Sequence, residues 1–485
     1  MKIKNKKNKK SGYLLIQALV FGSVGVVILG GLISWGASNY RAARQTTARE
    51  QAFQIAEAGI EYYRWHLAHA AQDYQDGTGA AGPYVHNYTD KNGTVLGTYT
   101  LTITPPIVGS TIVTVVSEGK VASDASLSRK IEAKFAIPSL AKYAFVANSN
   151  MRFGAGTEVF GPIHSNAGIR FDGLVHNIVT SAVASYDDPD HSGAVEFGVH
   201  THVNAPPGSG ITDTFRALEA PPSAVPNRAD IFEAGRQFPV PAVDFNGFTA
   251  DLSNIKTQAQ TSGRYFASSG AQGYQVILKT NDTFDLYRVN TLSSAGSGCS
   301  NSQNQTGWGT WSISTRTFLQ NYAFPANGLI FLEDHVWVEG TINSARLTIA
   351  SGKFPENSST NTNIIVNNDL SYTNYNGTDV LSLIAQNNIL VGKNSADDLE
   401  LDAALVAKNG FVGRYYYGSS CTNNSRTSLR LVGMIATNQR YGFAYTDGTG
   451  YATRTIIYDA NLLYGPPPSF PLTSDQYQTI SWREL

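Results

Sequence analysis

The sequence predicts a mainly β protein led by one long N-terminal α-helix. An α+β head comes first, then a right-handed parallel β-helix (a solenoid) that carries a small α+β insertion. Three observations predict it. No proline interrupts residues 13–70, and the apolar residues there keep a helical period. Runs between residues 97 and 137 alternate apolar and polar residues, the period-two mark of half-buried strands. Beyond residue 139, short aliphatic strands closed by a small residue and then Asn or Gly recur, as expected of stacked coils.

The first forty residues carry the strongest signal. Six lysines fall within residues 1–10, and no charge follows from Ser11 to Tyr40. About 20 apolar residues suffice to cross a bilayer as a helix. The lysines then stay in the cytoplasm and the chain beyond Arg41 lies outside. Residues 13–40 are therefore expected to be a transmembrane segment, anchored in the inner or cytoplasmic membrane with the C-terminal region outside. From Arg41 the helix turns amphipathic: Phe53, Ala56, Ile60, Tyr63 and Leu67 form one apolar stripe. A single helix over 13–70 would be about 85 Å long.

A basic leader over residues 1–12, ending in Gly12 and followed by Tyr13 at the head of an apolar helix, resembles the leader of type IV prepilins. The stretch Gln54-Ile55-Ala56-Glu57-Ala58-Gly59-Ile60-Glu61 resembles the PilX-type accessory, or minor, pilins. The resemblance implies cleavage between Gly12 and Tyr13 by a prepilin peptidase, methylation of Tyr13, and a helix that packs in a filament core among other pilins. The family carries Glu at the fifth mature position, where this chain has Gln17. That departure points to an accessory subunit rather than the bulk one. An ordinary signal anchor, or a secretory signal cut near Gly36-Ala37-Ser38, is the competing reading.

Composition bounds the rest. At 485 residues the chain exceeds one domain. Charged residues make up 15%, against about 25% in ordinary domains. The formal net charge is −1 before any loss of the leader lysines, which excludes a basic face for nucleic acid. Cys299 and Cys421 each sit in a Gly/Ser/Asn-rich loop, and an even count outside the membrane predicts one disulfide.

The head is expected over residues 41–138, with strands near 97–104, 110–121 and 128–137. First coils are expected over 139–181, where Met151-Arg152-Phe153 returns eighteen residues later as Ile169-Arg170-Phe171. Residues 182–327 interrupt them as a Pro-rich linker and α+β insertion. It is predicted to hold a short helix over 245–262, with Phe248, Leu252, Ile255 and Ala259 on one face, and a hairpin turning at Asn281-Asp282. Further coils and a tail fill 328–485. Asn and Gly at the strand ends are expected to take the left-handed backbone of sharp corners. An antiparallel sandwich is the alternative architecture. Gly161-Pro162-Ile163-His164-Ser165-Asn166 and the tail Tyr458-Asp459, Pro466-Pro467-Pro468 and Phe470-Pro471 resemble an uncharacterised region that follows pilin anchors in large bacterial surface proteins.

Candidate chemistry is sparse. Asp187, Asp188 and Asp190 offer carboxylates for calcium, in a spacing that fits no EF-hand. His200 and His202 share one strand face, as transition-metal ligands can. Asp398, Glu400 and Asp402 alternate along one strand, the paired-carboxylate pattern of polysaccharide cleavage. Tyr415-Tyr416-Tyr417, Trp308 and Trp311 are candidates for stacking on sugars. No nucleophile elbow, P-loop or HExxH motif occurs. The expectation is a non-enzymatic, adhesive accessory subunit of a type IV pilus or related secretion filament, with no cofactor or catalytic residue and with surface polysaccharide or a host ligand as partner. The alternatives are a membrane-anchored polysaccharide-active enzyme and a signal-anchored surface protein unrelated to pili.

Overall fold

The computed structural model describes residues 11–245 and 251–485. Most of the leader (residues 1–10) and Phe248 lie outside the described residues. The protein is mainly β with one long N-terminal helix, and the chain forms two compact units.

The first unit takes in residues up to Pro105, then Val113–Phe135 and Tyr477–Leu485. Its helix runs without a break over Ser11–His69. The N-terminal half is apolar and exposed, from Tyr13 and Leu14 through Phe21 and Val27 to Ile33 and Trp35. It is long and apolar enough to cross a membrane. The C-terminal half buries Ala48, Ala52, Ile55, Ala56, Ile60, Tyr63 and Leu67. These residues recur at three and four, so they share one stripe. Phe53 lies at the rim of the stripe, edge-on to Trp482.

The stripe covers an antiparallel sheet in which Tyr84–Thr89, Val95–Thr104, Val113–Val121, Asp124–Ala136 and Gln478–Glu484 lie side by side. Leu101, Val113, Val115, Ile131, Ala133 and Phe135 alternate inward. The predicted strands are all present. The last strand is an addition: residues placed by sequence in the distal tail pair with the head, and Arg483 and Glu484 reach Glu132 and Arg129.

Small residues set the helix–sheet distance. A Cβ at Gly119 would sit 2.1 Å from the Ala52 carbonyl oxygen and 2.4 Å from the Ala56 nitrogen. A Cβ at Gly59 would meet Ser117 Oγ at 2.3 Å and the Tyr99 ring at 2.8 Å. The Ala-Glu-Ala-Gly run thus has a packing reason: it brings the helix backbone against the sheet.

The second unit holds residues 106–112 and 136–476. Its strands pair mostly in parallel. One ladder runs from Arg264–Phe266 to Leu329–Leu332, Arg346–Ser351, Val380–Ala385, Asp398–Ala407 and Ser425–Thr437. It continues into Phe145–Ala147, Ile163–Ser165, Val179–Ser181 and Arg236–Gln237. The first strands of this unit therefore stack on late ones. A second ladder repeats that order, from Leu370–Tyr372 through Ser425–Thr437 and Gly450–Tyr458 to Thr157–Phe160 and Leu174–Val175. The eighteen-residue echo is real: Met151, Arg152 and Phe153 pair with Ile169, Arg170 and Phe171 in register. The stacked side chains form a continuous apolar interior, where the Phe153 and Phe171 rings lie 4.8 Å apart.

One expectation needs correction. Residues 182–327 are woven into the stack rather than laid over it, because Arg264–Phe266 and Gly273–Lys279 pair in parallel with later strands. The hairpin at Asp282 forms as predicted and gains a third antiparallel strand, Ile313–Ala323. The predicted helix is described over Leu252–Ser262, where the Asp251 carboxylate caps the Asn254 amide. Leu252, Ile255 and Ala259 are buried as expected.

The strand-end asparagines do not take the left-handed backbone. None of Asn166, Asn367, Asn388, Asn409 and Asn438 has a positive φ. They hydrogen-bond to neighbouring segments of the stack instead. Asn363 Oδ1 accepts from the Asn388 amide and Asn388 Oδ1 from the Phe411 amide. Asn166 donates to Asn148, which donates to Asn438. Arginines serve the same need elsewhere: buried Arg414 donates to the carbonyls of Gly392, Lys393 and Asn423. Arg346 donates to the carbonyls of Val108, Gly377, Gly465 and Pro466, which ties down the proline-rich tail.

Two substitutions test this packing. Gly119→Ala forces backbone apart in the head and should cost about 1–3 kcal/mol in a denaturant melt of the detergent-solubilised chain. Asn388→Ala leaves the Phe411 amide without its acceptor and should cost about 1–3 kcal/mol.

Candidate metal centre

After Val179–Ser181 the chain leaves the stack. Ser185–Tyr186 pairs antiparallel with Glu196–Phe197, and Val199–His200 returns in parallel beside Ile169–Phe171. Gly198 permits the tight crossing, since a Cβ there would lie 1.9 Å from the Val183 carbonyl oxygen. Glu196, His200 and His202 then fall at even spacings and face the same way.

Five side chains converge. Glu196 Oε2 lies 3.0 Å from His191 Nε2 and 3.2 Å from Nε2 of both His200 and His202. Asp188 Oδ2 lies 3.7, 3.5 and 4.0 Å from the same three nitrogens. All five side chains are 0–4% exposed. Among the described residues, Asp188, His191, Glu196 and His202 form a group able to hold a metal ion, and His200 adjoins it.

The outward atoms are all committed. The Nδ1 atoms of His191, His200 and His202 face the carbonyl oxygens of Ser192, Phe197 and Thr212 at 3.2, 3.2 and 3.0 Å. A carbonyl only accepts, so each Nδ1 carries the proton and each Nε2 turns inward. Glu196 Oε1 accepts from the Arg216 amide and Asp188 Oδ1 from the Asp190 amide. Asp172 takes the His202 amide at 2.8 Å and the Arg170 guanidinium at 2.7 Å, which fixes the returning strand.

Charge balance keeps both inward carboxyls ionised. Burial pushes the Asp188 carboxyl up, but His200, the Asp190 amide and Arg170 outweigh it and hold it well below the usual range. Burial likewise raises Glu196, while His202, His200 and the Arg216 amide bring it below its ordinary value.

The predicted residues fare differently. Asp188, His200 and His202 come together, and His191 joins them. Asp187 and Asp190 do not join them: Asp187 is exposed and Asp190 pairs with Arg152 and Arg440. The three-carboxylate calcium grouping is therefore replaced by a nitrogen-rich one. Glu196 was not singled out by sequence, although its even spacing to His200 and His202 was the available sign.

Other candidates are occupied by structure. Cys299 and Cys421 are joined in a disulfide. Tyr415 and Tyr417 are buried beside it and donate to the carbonyls of Thr306 and Gly309. Trp308 donates to the Tyr416 carbonyl and Trp337 to that of Trp311. These aromatics fasten a loop rather than present a stacking platform. Asp398 accepts from Ser428, Glu400 pairs with Arg430, and buried Asp402 accepts from the Tyr372 amide and the Tyr375 hydroxyl. The His164 ring stacks on Tyr143 beside an open cleft of about 760 Å³. Gln17 lies within the exposed apolar half of the helix, as does Tyr13, one residue after Gly12.

His335 gives a pH signature away from the cluster. Its Nδ1 accepts the Asn363 amide at 2.9 Å, and burial pushes the imidazole down to about 4 against the opposing charge of Asp334, while Lys353 lowers it further. Between about 6.5 and 4, the unfolded chain takes a proton that the folded chain refuses. The contribution to stability is thus complete above about pH 6.5 and is lost as pH falls toward 4. A resolved imidazole titration should show a His335 midpoint near 4, and His335→Gln should flatten the stability profile over that window; a midpoint near 6.5 refutes the assignment.

No family model and no curated protein matches the chain. Among solved structures, the crystal structure of the competence-associated pilin ComZ from Thermus thermophilus is similar, at 15% identity and a TM-score of 0.33, over 90% of this chain and 98% of that one.

Proposed function

We propose that the chain is a pilin-like accessory subunit, anchored by its apolar half-helix and displaying the second unit outside the membrane. The observation that carries the reading is the division of one unbroken helix, Ser11–His69. One half is apolar all round and exposed; the other is bedded on an antiparallel sheet. An exposed apolar half-helix needs lipid or other helices around it. A pilin uses such a helix first as a membrane anchor and then as filament core.

On this reading the prepilin peptidase cuts after Gly12 and the new amino terminus at Tyr13 is methylated. Gln17 cannot neutralise a neighbouring subunit's amino terminus, so the subunit enters filaments sparsely. The second unit is read as a right-handed parallel β-helix, in keeping with its parallel ladders and with the general handedness of parallel crossovers. Its role is adhesive, by shape and polar edge rather than by chemistry, with surface polysaccharide or a host ligand as partner.

Mass spectrometry of the mature chain tests the anchor. A methylated N-terminal Tyr13 is expected, whereas a start near Asn39 overturns the reading. Gln17→Glu should raise the share of the chain recovered with sheared filaments, and an unchanged share would remove the role assigned to this position.

A further inference from the structure

We propose that His191, His200, His202, Asp188 and Glu196 bind a single divalent transition-metal ion, and that this ion is structural. Four independent features carry the assignment.

Ligands about 2.1 Å from one ion stand about 3.0–3.4 Å apart at ordinary coordination angles. Glu196 Oε2 meets the three inward nitrogens at 3.0–3.2 Å, and Asp188 Oδ2 meets them at 3.5–4.0 Å. The inward side is built for a cation. With Nδ1 protonated on each ring, Nε2 meets the carboxylates either through a second ring proton, as in the His191 and His202 hydrogen bonds to Glu196, or, in the neutral rings, with a lone pair facing carboxylate lone pairs. That last arrangement repels unless positive charge lies between them.

Two fully buried atoms of the cluster, Asp188 Oδ2 and His200 Nε2, have no hydrogen-bond partner among the described residues. Such orphans are rare and costly in a folded protein. One ion in contact with both satisfies them. Charge points the same way. The carboxylates of Asp172, Asp188, Asp190, Glu196 and Asp213 face three guanidinium groups, those of Arg152, Arg170 and Arg440. Neutral imidazoles leave this group two negative charges in excess, which one dication balances.

The donor set selects the ion class. Three imidazole nitrogens with two carboxylate oxygens suit zinc and its first-row neighbours, whereas calcium takes six to eight oxygens. Burial of all five ligands leaves no open position for substrate, the mark of a structural site. The ion would clamp residues 185–202, which leave the stack, to the strand Ile169–Phe171, to which they return.

The test uses the full chain in detergent. Chelator-treated protein is offered Zn(II), Mn(II), Co(II) or Ca(II) separately, and bound metal is counted by mass spectrometry. One equivalent of a transition ion is expected, with a melting temperature that climbs with ion concentration. His202→Gln and Glu196→Gln should each weaken binding at least about 10–100-fold, the loss that even outer partners of a metal produce. Asp187→Asn, at an exposed neighbour, should leave binding unchanged. His191→Gln, at the least buried ligand, serves where the other variants fail to fold. Uptake of no ion, uptake of calcium alone, or undiminished uptake in the ligand variants overturns the proposal.

Discussion

A strand in a parallel ladder needs a partner along each edge, and the second unit meets that need by breaking chain order. Ser425–Thr437 finds its outer neighbour in Phe145–Ala147. Everything distal to that junction hangs on it: the Phe153 and Phe171 rings, the ladder to Val179–Ser181, and the excursion that brings Asp188 and Glu196 to the returning histidines. Backbone groups left unpaired at such an edge would be exposed to water or to other chains. Pairing an early strand with a late one removes that liability at the centre of the stack.

The head answers a different constraint. Among the described residues, half its helix has no protein neighbour, so the other half must hold the sheet alone. Ala52, Ala56 and Gly59 let backbone approach backbone, and Gly119 receives them. Close approach multiplies dispersion contacts over a narrow stripe. The small residues therefore do what a broad face of leucines does in an ordinary soluble helix. The polar second unit solves its own satisfaction problem with asparagines and with arginines such as buried Arg414.

Elements whose pattern is local could be read from sequence. The helix, the alternating head strands, the Asp282 hairpin and the pairing of Met151–Phe153 with Ile169–Phe171 all follow from period or echo. What stayed hidden depends on partners far away in the chain. Nothing near Ala147 announces that its neighbour is Thr437, and nothing near Gln478 announces a return to the head sheet. Asparagine at strand ends was visible as a recurrence, but its purpose was not, because turn chemistry and cross-coil hydrogen bonding favour the same residue. At the metal centre the two paired histidines were legible. Arg170 and Asp172, which brace them, read as ordinary members of an echoing strand.

The out-of-order stacking also governs when the second unit can form. A ribosome delivers Phe145–Ala147 long before Ser425–Thr437, so the early strands wait for their partner while most of the remaining chain is made. Loop closure over such a span slows assembly far more than it weakens the finished product. Until then these strands expose Phe145, Phe153 and Phe171 as an unsealed apolar edge. A chain truncated before residue 425 would thus be a sticky fragment rather than a shorter working copy, and a cell that makes this protein gains by shielding the nascent segment until synthesis ends.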